Sequence, residues 1–207
     1  MSEPIAIPSM TPPCVHDYLT EVGVSWACRG WAVECGSWLG ASCAALGRGL
    51  LAAGYEGAIH CYDQWRANES EARKALAQGC DVEAGDDLLP LFMWNMGQSG
   101  VDVVPHRVRI EDAEWDAGPI EVFVLDTAKR DPAWTHVVET FGPSWIPGVT
   151  TLALLDYHYW RKMELPRQPY YRVQEDFVQA HPESFTLLKD WPRRCSSAFF
   201  RYEGGLW

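Results

Sequence analysis

Three aspartates, Asp63, Asp126 and Asp156, each close a short apolar run: AIHCY at 58–62, IEVFVL at 120–125 and TTLALL at 150–155. A carboxylate at such a strand end can grip an ammonium or a diol, or take a proton from a hydroxyl. A fourth run, WAVEC at 31–35, carries Glu34 and leads into Gly36-Ser37-Trp38-Leu39-Gly40. Two glycines in a strand-to-helix turn let a ligand approach backbone amides where the next helix begins. Asp63 stands 23 residues beyond Gly40, about the spacing at which dinucleotide-binding folds hold a ribose diol. The turn lacks G-x-G-x-x-G, which argues against a nicotinamide cofactor.

The elements that must position these residues alternate. Pro4, Pro8, Pro12 and Pro13 make residues 1–13 an arm without regular structure. Helical spacing follows over 16–28, then a strand at 31–35, a small-residue helix at 37–51 and a strand at 58–62. Asn68, three residues before Glu71, predicts a capped helix over 69–78, stopped at Gly79. A further helix is expected at 88–96, with Pro90 in its first turn, and a strand at 106–110. Asp131-Pro132 opens a helix reaching Phe141. The tail adds a helix at 174–180 and strands at 185–188 and 198–202. The pattern predicts an α/β fold, a mostly parallel sheet covered by helices on both faces. Ligands then bind at the carboxyl ends of the strands, where the strand order reverses.

Taken in order, E-x-G-x-x-x-G, a second strand ending in an acid, Glu111-Asp112-Ala113, and Asp126 after the strongest strand resemble the class I S-adenosylmethionine-dependent methyltransferases. VECGSWLGAS, HCYDQW, EVFVLDTAK and WIPGVTTLALLDYHYW resemble, more narrowly, small-molecule O-methyltransferases of the macrocin or cephalosporin-hydroxylase type. The resemblance covers residues 31–202. It implies a doubly wound, Rossmann-like, seven-stranded sheet with one antiparallel strand near the C-terminus. It divides the chain into an arm and lid helix at 1–30 and a methyltransferase-like domain at 31–207.

The resemblance also implies roles. Glu34, Gly36, Ser37 and Gly40 would face the methionine end of S-adenosylmethionine, with Trp38 in the same loop. Asp63 would take the ribose hydroxyls, Gln64 or Trp65 would pack beside the adenine, and Asp112 and Ala113 would meet its edge. Asp126 would lie near the cofactor's amino group and the acceptor. Asp126, Asp156 and His158 are the candidate bases, with Lys129 a weaker one. Metal-dependent relatives hold magnesium with an acid after strand four and a pair of ligands after strand five. Here Asp126 and Asp156 could take part, but Tyr157 fills the second place of the pair, and Lys129 would compete with a cation.

Composition narrows the partners. With 17 basic and 28 acidic residues the formal net charge is -11, which disfavours general nucleic-acid binding. No run approaches the length of a membrane span, and the opening residues lack a secretion signal, so a soluble cytoplasmic protein is expected. Seven cysteines without a C-x-x-C pair read as small buried hydrophobes. Most of the 11 tryptophans read as packing, and an exposed aromatic face among them would suit a homodimer. The resulting expectation is methyl transfer to a hydroxyl of a small molecule such as a sugar or secondary metabolite. The alternative is a methyltransferase-like binding module without turnover, for which Tyr157 and Lys129 speak.

Overall fold

The computed structural model describes residues 6–191 and 194–207. Seven strands, β1 (Trp31–Cys35), β2 (Ile59–Asp63), β3 (Val103–Arg107), β4 (Ile120–Leu125), β5 (Thr151–Leu154), β6 (Phe185–Asp190) and β7 (Ala198–Tyr202), form one sheet. Its order is β3-β2-β1-β4-β5-β7-β6. Neighbours from β3 through β5 are parallel. β7 runs antiparallel to both β5 and β6. The strand order therefore reverses between β1 and β4, whose carboxyl ends open a crevice.

The period of two along each strand divides the core. Ala32, Val122, Val124 and Ala153 face helices α1 (Pro13–Val24), α2 (Ala41–Ala52), α3 (Glu69–Leu76) and α4 (Leu89–Ser99). Val33, Phe123, Leu125 and Leu154 face α5 (Ala133–Phe141) and α7 (Val173–Ala180), the latter preceded by the short α6 (Gln168–Tyr171). All six residues of β4 are buried, as a central parallel strand covered on both faces requires. Glu121 on that strand is satisfied locally: its carboxylate accepts from the Ala27, Arg29 and Gly30 amides and pins the turn entering β1.

Local signals set the helix ends. Asn68 accepts from the Ser70 and Glu71 amides while the Glu71 carboxylate accepts from the Asn68 amide, a complete capping box. α4 opens with Pro90 in its first turn and stops at Gly100 in the left-handed region. The third strand differs from expectation. It spans Val103–Arg107, and Ile110 lies instead in a one-turn 3-10 helix. Pro105 obscured it in the sequence, but β3 is an edge strand, where a proline costs no interior hydrogen bond.

α1 packs on α2, with the Thr20 hydroxyl donating to the Ala45 carbonyl at 2.8 Å. Among the described residues ahead of β1, Met10, Thr11 and Pro12 of the preceding arm reach the crevice, and those of α1 do not. The cysteines are mixed: Cys35, Cys43 and Cys61 are buried, whereas Cys28 is exposed. Among the described residues no helix is long and apolar enough to cross a membrane.

Candidate active site

The crevice at the carboxyl edge is a cleft of about 1120 Å³. Four strand-end loops wall it: Gln64 to the start of α3, Arg109 to Glu111, Asp126 to Ala133, and Leu155 to Tyr159. A lid of short turns between Lys162 and Val173, and the segment Arg194–Ser197 before β7, close its far side.

At the floor stand Asp126, Asp156 and Lys129. The Lys129 ammonium lies 2.7 Å from the Asp156 Oδ2 and 4.7 Å above the Tyr159 ring. Burial, and then the Asp156 charge, push the Asp126 carboxyl well above the ordinary range. Burial would pull Lys129 down, but Asp156 and Asp126 outweigh it and hold the ammonium above its usual value. A proton on Asp126, a charge on Asp156 and an ammonium on Lys129 make a neutral trio, the arrangement a low-dielectric site tolerates best.

That trio does not fit magnesium. The lysine nitrogen is in contact with the carboxylate a divalent ion would need, and like charge opposes the ion. Tyr157 supplies no ligand, since its ring is buried against Phe200 with centroids 5.0 Å apart.

The glycine turn lies behind the cleft wall. Gly36 has φ +91°, and a β-carbon there would sit 2.8 Å from the Asp126 carbonyl oxygen. Its conformational freedom thus serves the close approach of β1 to β4. Gly40, at φ +92°, meets Met96 and Phe92 of α4, and Asn95 donates to the Leu39 carbonyl at 2.8 Å. Ser37, Trp38 and Trp65 are buried. The Asp63 carboxylate accepts from the Trp38 amide at 2.9 Å and the Trp65 amide at 2.7 Å. Burial raises its pKa even though these amides favour its charged form. Asp63 is therefore a clamp between two loops, both of which carry a tryptophan in the left-handed region, at φ +44° and +45°.

Glu34 is fully buried behind the same turn. Neither carboxyl oxygen finds a partner in good hydrogen-bond geometry. Burial pushes its pKa to about 7, while nearby Ser42, Ser37 and Cys43 pull the other way. A carboxyl whose folded pKa exceeds its unfolded value of 4.5 favours the fold below that value and loses the advantage as pH rises through about 7. Wild type should therefore lose up to about 3 kcal/mol relative to Glu34→Gln between pH 4.5 and 8. Chemical denaturation of both proteins across that range checks it. A constant difference would contradict the burial of an ionisable group there.

Of the residues expected from sequence, Gln64, Asp126 and Asp156 line the cleft together, as does Lys129. Glu34, Gly36, Ser37, Trp38, Gly40, Asp63 and Trp65 are not among its lining residues; all are buried except Gly36 and Asp63, which are partly exposed. Asp112 is exposed and Ala113 is buried among the α5 aromatics, while Ile110 and Glu111 take the lining position beside them. His158 is buried away from the cleft, with Nε2 2.9 Å from Asp190 and Nδ1 3.4 Å from Glu175. With both ring nitrogens engaged by carboxylates, it ties the end of β5 to α7 and β6 and is not placed to meet an acceptor. Sequence reasoning passed over Asn68, Ser70 and Glu71. The capping box marks α3's N-terminus, but only the fold turns it toward the cleft.

The chain matches no protein-family model and no curated protein. Among solved structures it is similar to the O-methyltransferase NovP, at TM-score 0.63 and 12% identity, covering 91% of this chain and 78% of that one. It is also similar to the SAH-bound Podospora anserina methyltransferase PaMTH1, at TM-score 0.57 and 12% identity, covering 94% and 80%. CalS11, a calicheamicin methyltransferase, aligns at TM-score 0.57 and 15% identity, covering 91% and 77%. The chain thus has the Rossmann-like fold of class I methyltransferases, including the inserted antiparallel strand.

Proposed function

We propose that the protein transfers a methyl group from S-adenosylmethionine to a hydroxyl of a small molecule. The observation that carries this reading is the Asp126–Lys129–Asp156 trio on the floor of a cleft at the sheet's crossing point. The fold likeness to NovP, PaMTH1 and CalS11 supports it. The cleft is also larger than one ligand of ordinary size needs.

Bound S-adenosylmethionine supplies an electrophilic methyl on a sulfonium. In this reading Gln64, Ile110 and Glu111, with Asp126 to Ala128, hold its nucleoside between the ends of β2, β3 and β4. The acceptor lies on the lid side, over Lys129 and Asp156. The trio aligns the acceptor oxygen with the methyl carbon, and alignment is the main demand of this reaction. Asp156, ionised against Lys129, takes the hydroxyl proton. A carboxylate suffices as base, because the oxygen becomes strongly acidic as the methyl bonds to it. Lys129, 2.7 Å from the Asp156 carboxylate, holds that base in position to take the proton. The binding-module alternative gains no observation of its own from this geometry.

Calorimetric titration with S-adenosylhomocysteine tests the reading. Binding with a dissociation constant of about 100 µM or tighter, roughly 5 kcal/mol or more, is the expected result. No heat at millimolar ligand would remove it.

A further inference from the structure

The charge of the cleft opposes that of the chain. Across all 207 residues acids exceed bases by the margin that gives -11. In the cleft wall seven residues are Lys or Arg and five are Asp or Glu. One of those five, Asp126, is biased toward its neutral form by burial and by Asp156. Two of the seven cations are paired locally, Lys129 with Asp156 and Arg109 with Glu111. Of the other five, Lys74 on α3 donates to the Met10 sulfur at 3.0 Å, and among the described residues Arg130, Lys162, Arg167 and Arg194 have no carboxylate partner.

The placement of these four matters more than their number. Lys162 and Arg167 belong to the lid and Arg194 stands before β7, on the side assigned to the acceptor, while Arg130 follows Lys129 in the loop after β4. None comes from the β2 and β3 ends assigned to the nucleoside. Aromatic rings sit beside two of them: Lys162 lies 5.7 Å over Tyr159 and Arg167 lies 5.9 Å over Tyr171. Unpaired cations on an acidic protein repel nothing nearby and attract counter-ions, and a cleft focuses their field. S-adenosylmethionine carries one carboxylate and two positive centres, so it does not account for them.

We propose that the acceptor is a phosphorylated small molecule, its phosphate or diphosphate held by Arg167 and Arg194 with Lys162 and Arg130 in support, and its hydroxyl presented to Asp156. This rests on the methyltransferase reading. The guanidinium fork matches phosphate oxygens with paired N–H donors, and two or more compact negative charges suit several unpaired cations.

The test titrates inorganic pyrophosphate into the full-length protein saturated with S-adenosylhomocysteine, using wild type and an Arg167→Glu, Arg194→Glu double variant. Both positions are exposed, so the variant should fold, and its unaltered S-adenosylhomocysteine affinity verifies this. The expected result is pyrophosphate binding to wild type that weakens at least tenfold in the variant and falls as salt rises. Equal binding by both proteins, or none by wild type, overturns the inference. So does citrate binding wild type as tightly as pyrophosphate, since the site would then be a general anion attractor. In each of those cases retained S-adenosylhomocysteine binding leaves the methyltransferase reading standing, whereas its loss in wild type removes that reading itself.

Discussion

Replacing Lys129 with methionine should lower methyl transfer about 100-fold or more, the scale of a lost positioned charge and its proton-transfer partner. S-adenosylhomocysteine affinity should change little. The reason lies in the ion pair: without the ammonium 2.7 Å away, Asp156 faces Asp126 alone, and two neighbouring carboxyls in a shielded site favour sharing a proton over offering a base. Methionine keeps a flexible apolar stem of similar length and removes the ammonium that pairs with Asp156 and lies over Tyr159. Wild-type activity should also persist in excess chelator, because the lysine stands where a divalent ion would have to approach. Turnover measured with and without chelator, for both proteins, reads the two effects separately. Chelator-sensitive activity restored by magnesium would contradict the assignment. A Lys129→Met enzyme as fast as wild type would do so equally.

The Asp63→Ala protein should lose about 2–6 kcal/mol of stability, since two amides would each forfeit an acceptor at roughly 1–3 kcal/mol apiece. The clamp also holds Trp38 and Trp65 at positive φ, a backbone state that persists only where surrounding bonds impose it. Trp65, wholly buried and packed on Phe92 at 4.9 Å, would lose its alignment together with the indole hydrogen bond to the Trp38 carbonyl. Asp63→Asn, which retains one acceptor oxygen, should recover part of the loss. Urea unfolding distinguishes this from a ligand-facing role. Full stability combined with weakened cofactor binding would place Asp63 against a ribose, not between loops.

The sheet was legible because its signals are local. IEVFVL carries β-branched and aromatic residues on both faces, and Asn68 with Glu71 caps a helix whatever surrounds it. The third strand was displaced because Pro105 reads as a breaker when edge and centre cannot be told apart. The site was legible in outline: strand-end acids mark the carboxyl edge, and Asp126 and Asp156 do meet there. The direction in which a side chain faces was not. Asp63 and Glu34 end or precede turns of the expected kind, yet α4, contributed by a distant segment, presses Phe92, Asn95 and Met96 onto the Gly40 turn and seals it. His158 turned inward because Glu175 and Asp190, 17 and 32 residues on, supply partners that no local pattern announces.

The most direct measurement is a crystal structure of the protein bound to S-adenosylhomocysteine. The account predicts the adenosine between Gln64, Ile110 and Ala128, its sulfur directed toward Asp156 and Lys129, with Asp63 still holding the Trp38 and Trp65 amides. A nucleoside lodged against an opened Gly36–Gly40 turn with Asp63 on its ribose, or a cleft that rejects the compound, would contradict it.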